Sequence, residues 1–217
     1  LLPGPAGRWL TEGGARIRLR HRVEAIRQDA GGWRVDGEAF DAVVLASSPV
    51  ESARLVEGIA PGWSRTAAAL RYEPIVTVYA RADRLTLPSP ILALRATPTA
   101  PAQFVLDRGA LGGPHGLLAF VISGAQEWVD RGTGAVAHAT LAQGRAELGV
   151  PLRHVRTLTE KRATFRCTPG LTRPVMRIAD RLHAAGDHVV GPYPATLEGA
   201  VRSGLAAVRA LDDPGTS

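Results

Sequence analysis

The sequence predicts an α+β fold with some α/β character, on three observations. Of its 217 residues, 45% are apolar and 21% are charged, a balance that supports a buried core and argues against disorder. Short β-branched runs bounded by glycine or proline predict strands, and longer segments with helical spacing predict helices. Leu117–Ile122, one of the longest apolar runs, is far shorter than the ~20 residues of a membrane span. We therefore expect a mixed sheet with covering helices.

The first part of the chain predicts a short helix over Gly4–Glu12 and several strands after it. Ala15–Arg20 alternates apolar residues with arginine, which is the pattern of a half-buried strand. Val23–Gln28 and Trp33–Val35 predict a hairpin around a glycine-rich turn. Asp41–Ala46 is apolar on both faces, as is typical of a central strand that is covered on both sides.

The middle of the chain predicts an antiparallel or mixed sheet with a helix against it. Ser48 is the expected N-cap of a helix over Val50–Glu57. Val136–Leu148 has apolar residues at helical spacing, and Gly149 is its expected stop. The expected strands are Ile75–Ala80, Phe104–Leu106, Leu117–Ser123 and Val155–Phe165, and Gly109–Gly116 is an expected loop.

The tail predicts a short strand over Arg181–Ala185, a glycine- and proline-containing loop and a closing helix. Thr196 is a natural N-cap for this helix, which extends to about Leu211. Its large apolar residues form one stripe, and small residues cover the adjoining face. A helix with so little side chain in its first turn lets its backbone approach a sheet, a ligand phosphate or a ring closely. The stripe consists of Leu197, Val201, Leu205, Val208 and Leu211.

The net charge of +6 raises nucleic acid and an anionic membrane surface as partners. The arginines are scattered along the predicted strands and helices, and no nucleic-acid-binding pattern accompanies them, so we favour solvated faces over a nucleic-acid patch. A peripheral contact with a lipid surface stays open. The single cysteine, Cys167, excludes a disulfide scaffold and a thiolate metal cluster, and the six histidines show no ligand spacing, so no metal is expected.

Local motifs alone indicate no reaction. No Gly-x-Gly-x-x-Gly turn follows a strand, and neither a phosphate-binding loop with lysine nor a Gly-x-Ser-x-Gly elbow occurs.

Several segments do resemble a known family. The tail resembles the C-terminal flavin-contacting motif of the FAD-dependent amine oxidase and phytoene desaturase superfamily, in the residues Ala185–Asp187 and Tyr193–Gly204. Asp41–Pro49, Tyr72–Tyr79 and Glu160–Gly170 resemble one branch of it, the squalene-associated FAD-dependent desaturases, or hydroxysqualene dehydroxylases. The resemblance extends over nearly the whole chain.

The resemblance implies a division into two domains and a set of FAD contacts. Residues 1–49 and 178–217 would be the remaining part of an incomplete, Rossmann-like FAD-binding domain, and residues 50–177 a substrate-binding domain with a mixed sheet. Val23 matches the position whose backbone meets the adenine. Gly186 matches a position at which the backbone approaches the cofactor closely, and Asp187 matches the acid near the ribityl–pyrophosphate region. Thr196 and Leu197 match the start of the helix, which lies nearest the flavin.

The implied activity is reductive loss of an allylic hydroxyl from hydroxysqualene, an apolar isoprenoid, in hopanoid biosynthesis. The candidates for lining the substrate tunnel are Ile75–Tyr79 and Leu117–Ile122, although ordinary core positions are favoured for any one of these residues. Lys161 and Arg162 are candidates for a place near the leaving oxygen, although a solvated strand face is favoured for them. The alternatives are another amine oxidase or carotenoid desaturase and a non-catalytic lipid-binding fragment.

The family's opening strand, glycine turn and helix do not occur in these residues, and the chain begins with Leu1 rather than methionine. We therefore expect a C-terminal part that is inactive in isolation, from a cytoplasmic protein for which a peripheral contact with the inner membrane face stays open. The resemblance identifies neither a catalytic acid nor an oligomeric state.

Overall fold

The computed structural model describes residues 3–83 and 85–212, the last without its side chain. The chain forms two compact units, with boundaries after residues 68 and 172. Unit 1 contains the residues before the first boundary and after the second, and unit 2 contains the residues between them. No helix among the described residues is long and apolar enough to cross a membrane.

The elements follow one another in this order. The first part of unit 1 contains α1 (Pro3–Glu12), β1 (Ile26–Asp29), β2 (Gly32–Val35), β3 (Glu38–Phe40), β4 (Val43–Leu45), α2 (Pro49–Val56) and α3 (Pro61–Ala68). Unit 2 contains β5 (Tyr72–Arg81), β6 (Ile91–Ala93), β7 (Phe104–Asp107), β8 (Leu117–Ile122), α4 (Gln126–Arg131), α5 (Thr133–Leu148) and β9 (Arg153–Phe165). The last part of unit 1 contains β10 (Arg177–Ala179), β11 (Leu182–Ala184) and α6 (Leu197–Asp212).

Unit 1 has two small sheets. In the first, β1, β2 and β3 pair antiparallel, and in the second, β11 lies between β10 and β4 and runs parallel to β4. Two tryptophans stabilise the core of unit 1, both by burying their large apolar rings and by donating hydrogen bonds from their ring N–H groups. Trp33 donates to the Asp180 carbonyl at 3.0 Å, and Trp63 donates to the Val175 carbonyl at 2.7 Å.

Unit 2 has one five-stranded antiparallel sheet in the order β6-β7-β8-β5-β9, with α5 among the elements that pack against it. Val76, Val78 and Phe120 have no exposed surface and form the centre of its core. Gly144 allows the close approach of α5, because a Cβ there would lie 2.7 Å from the Phe120 ring. The apolar alternation of β5 and β8 therefore reflects a closed core.

The structure confirms most of the predicted elements. All four predicted helices form. Ser48 caps α2 by accepting from the Glu51 amide at 3.5 Å, and Gly149 ends α5 with a φ of 66°. The predicted strands from Val23 onward correspond to β1, β2, β4, β5, β7, β8, β9 and β11, and the sheet of unit 2 is antiparallel.

The strand prediction for Ala15–Arg20 is wrong. This segment has no strand partner among the described residues, and Arg20 has a φ of 57°, which no strand adopts. Its arginines are held instead by one carboxylate, because Glu38 accepts from both Arg16 and Arg18 at 2.5 Å. The arginines of the alternating pattern thus form ion pairs with Glu38. The apolar residues between them do not face a core, since Leu19 is 82% exposed.

One further expectation differs from the structure. β4 was expected to be central, but it is the end strand of its sheet in the part of the chain that the structure describes. The small-residue face of α6 packs inward, and Leu197, Val201, Leu205 and Val208 of its apolar stripe are all exposed. The compact units divide after residues 68 and 172, because α2 and α3 pack within unit 1, and the division of binding roles at residues 49 and 177 stays a prediction.

Candidate cofactor site

The candidate site lies in unit 1, where two parallel strands end side by side. Leu182 is paired with Val43 and Ala184 with Leu45, so β11 and β4 have their carboxyl ends at the same edge. The chain leaves β4 through Ala46 and leaves β11 through Ala185. In open sheets of parallel strands, ligands bind outside this edge.

Gly186 follows β11 in a conformation that suits glycine alone. Its φ is 155°, and a Cβ would lie only 2.5 Å from the ring of His188. Its backbone is bonded to α6, since its amide donates to Ser203 Oγ at 2.8 Å and its carbonyl oxygen lies 3.0 Å from the same hydroxyl. The predicted glycine therefore permits a close approach, which in this structure is that of the His188 ring, while Ser203 of α6 is bonded to its backbone.

Asp187 presents a carboxylate beside this turn. Its side chain is 37% exposed, and its one ion-pair neighbour among the described residues is His188, whose Nδ1 lies 3.8 Å from Oδ1. The Asp187 carbonyl oxygen accepts from the Ala195 amide at 3.3 Å, which closes the loop between β11 and α6. The carboxylate oxygens thus remain accessible to hydroxyl or amide donors of a ligand.

His188 is the polar group that the sequence did not single out. It is 1% exposed, and its Nε2 has no hydrogen-bond partner in the described part of the chain. A buried ring nitrogen without a partner carries a cost of ~1–3 kcal/mol, which a ligand atom or a water molecule would remove. Its place directly after Gly186-Asp187 was visible in the sequence, but its burial was not.

The start of α6 is capped as predicted. Thr196 Oγ1 accepts from the Gly199 amide at 3.0 Å and donates to the Tyr193 carbonyl at 2.7 Å. A Cβ on Gly199 would overlap that same carbonyl oxygen, so the loop and the first turn pack backbone against backbone. Leu197 is 88% exposed at this helix end. The cap uses one of the amides that were expected to face the flavin.

Arg173 holds the loop that precedes α6. Its guanidinium donates to the carbonyl oxygens of Val189 at 2.9 Å and of Gly191 at 2.5 Å. Within the loop, Tyr193 and Ala195 both have a φ of 56°, a conformation that costs about 1 kcal/mol or more for residues other than glycine. A strained backbone of this kind persists only where surrounding contacts hold it in place. The contact between Arg173 and this loop joins residues distant in sequence, so no local motif predicted it.

A cleft of about 530 Å³ runs along α6 beside this loop. Its walls combine loop residues with one side of the helix, including the apolar Val201 and Leu205 and the charged Glu198 and Arg202. Arg202 pairs with Glu198 at 2.5 Å and lies over the Tyr193 ring at 5.1 Å. Glu198 is thus engaged within the helix.

Val23 lines a second cavity, of about 420 Å³, at the carboxyl end of β4. Its walls are mostly apolar, with arginines at the rim. The Val23 carbonyl oxygen accepts from Arg54 Nη2 at 2.6 Å, so one of its lone pairs is used inside the protein. The hydrogen bond from Arg54, together with the charge of Arg22, lowers the pKa of Glu51 against the opposing effect of burial. The cavity offers an apolar slot, and its charged groups are Glu51 and the two arginines, Arg22 and Arg54, that pair with it.

These residues fit part of a flavin dinucleotide. An accessible carboxylate, a buried unpartnered nitrogen and an apolar cavity all belong to unit 1, and β4 and β11 end at one edge there. Val23 belongs to the β4 side, and Gly186 and Asp187 follow β11. Thr196 and Leu197 begin α6, which Ser203 fastens to Gly186. The glycine turn that binds a pyrophosphate is not among these residues.

Unit 2 has a polar cavity of its own, of about 560 Å³. Glu73 and Arg166 form an ion pair at 2.6 Å in its wall, near Gln103 and Trp128. The residues predicted as candidates for a substrate tunnel fall into two groups. The side chains of Val76 and Phe120 are buried in the core of unit 2. Ile75, Thr77 and Tyr79, on the other face of β5, are half-buried. Lys161 and Arg162 are exposed on β9.

Comparisons with known proteins agree with this geometry. The family model described as flavin-containing amine oxidoreductase matches residues 6–212. No match to a curated protein was found.

Solved structures share the fold at low sequence identity. A protein from Exiguobacterium sp. 255-15, provisionally assigned as a protoporphyrinogen oxidase, is 17% identical with a TM-score of 0.63, over 95% of this chain and 51% of its own. An oxidoreductase from Methanosarcina mazei is 15% identical with a TM-score of 0.64, over 86% and 48%. The cyclohexylamine oxidase of Brevibacterium oxydans IH-35A is 15% identical with a TM-score of 0.58, over 89% and 48%. The chain thus spans about half the length of these relatives.

Proposed function

The chain belongs to the family of flavin-containing amine oxidoreductases, whose cofactor is FAD, and from that premise we propose that it forms the closing half of an FAD-dependent oxidoreductase. In this proposal unit 1 holds one side of the flavin, and unit 2 binds the substrate. The observation that carries it is the turn after β11: an accessible Asp187 carboxylate next to a buried, unpartnered His188 nitrogen, with α6 fastened to Gly186.

Each site residue has a distinct task in the proposed mechanism. The Asp187 carboxylate accepts hydrogen bonds from hydroxyl groups of the ribityl chain, and the start of α6 at Thr196 and Leu197 stabilises negative charge through its amides. The apolar cavity at Val23 receives the adenine. Arg173 keeps the strained loop in place, which preserves the position of Asp187. The flavin itself supplies hydride transfer, and the protein orients it and excludes water.

We propose an apolar isoprenoid as the substrate, with hydroxysqualene as the specific case and squalene as the product of reductive dehydroxylation. Support comes from the three segments that resemble the squalene-associated desaturases. The half-buried face of β5 with Ile75, Thr77 and Tyr79 is the surface of unit 2 available to such a substrate. Because such a substrate resides in lipid, we also propose a peripheral contact of the cytoplasmic protein with the inner membrane face.

Amine oxidation is one alternative, because one structural relative is a cyclohexylamine oxidase. A cationic amine in the cavity of unit 2 would have to displace Arg166 from Glu73, to which it is paired at 2.6 Å. Product analysis separates the two reactions: the complete flavoprotein is incubated with hydroxysqualene under reducing conditions or with a long-chain amine under oxygen. Squalene supports our proposal, whereas an aldehyde from the amine supports the alternative. Neither product, from a protein that retains lipid, indicates a non-catalytic fragment.

Flavin binding tests the site directly. In the complete protein we expect Asp187→Ala to weaken FAD binding by about tenfold or more, because a hydrogen bond to a charged group contributes ~1.5–3 kcal/mol. Asp180→Ala is the matched control, since its carboxylate is 75% exposed at the opposite end of β11. Titration of the apoprotein, followed by visible flavin absorbance, measures both. Equal affinities of the two variants would exclude Asp187 from the cofactor site.

A further inference from the structure

One end of the unit 2 sheet carries a row of arginines that crosses four adjacent strands. Arg81 at the end of β5 and Arg153 at the start of β9 are cross-strand partners. On its other side, Arg81 is paired with Leu117 of β8. The Leu117 carbonyl accepts from the amide of Arg108, directly after β7, at 2.9 Å. The arginines therefore follow the strand order β7-β8-β5-β9 across the end of the sheet.

The alternation of side chains along the strands places these arginines on one face of the sheet. Val78 and Ala80 of β5 are fully buried in the core, so Tyr79 and Arg81 point to the opposite face, which we call the outer sheet face. Arg156 of β9 is the cross-strand partner of Tyr79 and shares this face. The same alternation after the buried last residue of β7 directs the next side chain there. The arginine row on this face consists of Arg81, Arg108, Arg153 and Arg156.

The charge of the arginine row is largely unbalanced. Arg81 Nε lies 3.8 Å from a carboxylate oxygen of Asp83, which is 91% exposed, and so loose a pair neutralises little charge. No residue within 3–83 or 85–212 forms an ion pair with Arg108, Arg153 or Arg156. Arg153 and Arg156 are both exposed. The row is thus a local excess of positive charge at the surface of unit 2.

Apolar side chains lie behind the row on the same outer sheet face. Phe104 of β7 is 46% exposed, and Ile91 of β6 is 50% exposed. Ile91 is paired with Leu106, and Phe104 is paired with Val121, so these side chains form one continuous surface. The half-buried face of β5 is part of it. The outer sheet face therefore has an apolar middle and a cationic end.

We propose that the arginine row docks unit 2 on an anionic phospholipid membrane, with the phosphates of the lipid headgroups as its ligands. This inference rests on the proposed function, because it takes the outer sheet face as the surface that receives the isoprenoid. A membrane held at the cationic end lets a lipid-resident substrate reach the apolar middle without crossing water.

The dimensions and the composition of the surface select a membrane over other anions. Neighbouring strands lie ~4.8 Å apart, so the row spans about 14 Å from β7 to β9. One phosphate group cannot contact arginines across that distance, whereas the headgroups of a membrane can. A nucleic acid also presents many phosphates, but it offers no apolar chain to the side chains behind the row. Each arginine near an anionic membrane strengthens binding by about fivefold.

Vesicle sedimentation tests the partner. The 217-residue chain is mixed with vesicles of phosphatidylglycerol and phosphatidylcholine, and separately with vesicles of phosphatidylcholine alone. We expect at least tenfold tighter binding to the anionic vesicles, with an affinity that falls as sodium chloride is added, because salt screens exposed charges. Equal binding to both kinds of vesicle, or binding to neither, overturns the proposal.

Paired variants test the row. Replacing Arg108 and Arg153 together by glutamine should weaken binding to anionic vesicles by about 25-fold, at about fivefold for each charge. Arg95→Gln with Arg131→Gln is the matched control, because it lowers the net charge equally. Arg95 follows β6 and Arg131 ends α4, both beyond the opposite end of the sheet. The control should weaken binding by less than about threefold.

Two further measurements complete this comparison. Lysine in place of Arg108 and Arg153 keeps both charges, so binding should stay within about twofold of the wild type. Circular dichroism verifies that every variant is folded. Equal weakening by the glutamine pair and its control overturns the proposal, because binding would then follow net charge alone. Failure of the lysine pair to bind also overturns it.

Other ligands give different results. Release of the chain from vesicles by inorganic phosphate, but not by sodium chloride of the same ionic strength, would assign the row to a single phosphate. Duplex DNA that binds the chain more tightly than vesicles do, through the same arginines, would assign it to a nucleic acid. Either result overturns the proposal.

The fate of the proposed function is read separately, in the complete flavoprotein. Vesicle binding through the row without squalene from hydroxysqualene supports the docking surface and overturns the isoprenoid substrate. Squalene formation with vesicle binding that the glutamine pair leaves unchanged keeps the substrate and overturns the docking surface.

Discussion

Units 1 and 2 differ in how completely they bury their apolar side chains. In unit 2 a five-stranded sheet and α5 enclose Val76, Val78 and Phe120 without exposed surface. In unit 1 each sheet has three strands, α1 buries no residue, and the outer face of α6 is apolar and exposed. Among the described residues, unit 2 therefore encloses its apolar side chains more completely than unit 1 does. The predictions below test this difference.

The largest effect is expected in the core of unit 2. Phe120→Ala removes a fully buried ring that packs under Gly144, and we expect it to lower the free energy of unfolding by ~3–5 kcal/mol. Phe104→Ala is the control, because that ring is 46% exposed and its loss should cost less than about 1.5 kcal/mol. Urea unfolding followed by circular dichroism measures both. Similar costs for the two would contradict a closed core.

A buried carboxylate gives unit 2 a pH dependence. Burial raises the pKa of Asp107, but hydrogen bonds from the amides of Ala110, Leu87 and Gly109 outweigh it and hold the pKa below its usual 3.8. The stabilisation is therefore complete above the unfolded-state pKa and is lost as the pH falls through the lower folded-state value. At pH 7 we expect Asp107→Asn to cost ~1–3 kcal/mol, because an amide group satisfies those donors less well.

The control for Asp107 is Asp83→Asn, whose carboxylate is 91% exposed in the same unit. Unfolding free energies are measured at pH 7 and at pH 3. The difference between the wild type and Asp107→Asn should shrink at the lower pH, whereas Asp83→Asn should follow the wild type at both. A difference that stays constant would show that Asp107 contributes through packing rather than charge.

The sequence also predicted the strands of unit 2 better than those of unit 1. In unit 2 the buried face of β5 and the apolar residues of β8 pack into one core inside the unit, so local spacing was sufficient to predict both strands. In unit 1 the same reasoning failed at Ala15–Arg20, where Glu38 binds the arginines. It also failed at β4, which pairs with one strand among the described residues although its composition is that of a central strand. Pattern alone does not say which partner is present.

The candidate site shows the same limit. Gly186 and the Thr196 cap follow from local backbone requirements, and both are found where they were expected. The burial of His188 and the contact of Arg173 with the loop depend on residues distant in sequence, which no single motif contains. The roles of Val23, Asp187 and Leu197 in cofactor binding stay predictions.

A smaller effect is expected at the start of α6. Thr196→Ala removes the acceptor of the Gly199 amide, and we expect a loss of about 1 kcal/mol, which Thr196→Ser should largely restore. Thr66→Ala is the control, because that hydroxyl bonds to the Gly62 carbonyl within its own helix and caps no amide. Thermal unfolding measures all three variants. An equal effect of Thr66→Ala would mean that the loop, rather than the cap, fixes the helix start.

The smallest effect, and the one with an unusual sign, is expected on the outer face of α6. Val208→Ala removes a side chain that is 53% exposed and replaces a β-branched residue by the best helix former, so the chain alone should gain about 0.5 kcal/mol in stability. Val136→Ala in α5, where the side chain is 1% exposed, should instead cost about 2 kcal/mol. Urea unfolding of both variants gives this contrast. A loss of stability in the chain alone would mean that the stripe already has a partner within it, and the contrast between the two units would disappear.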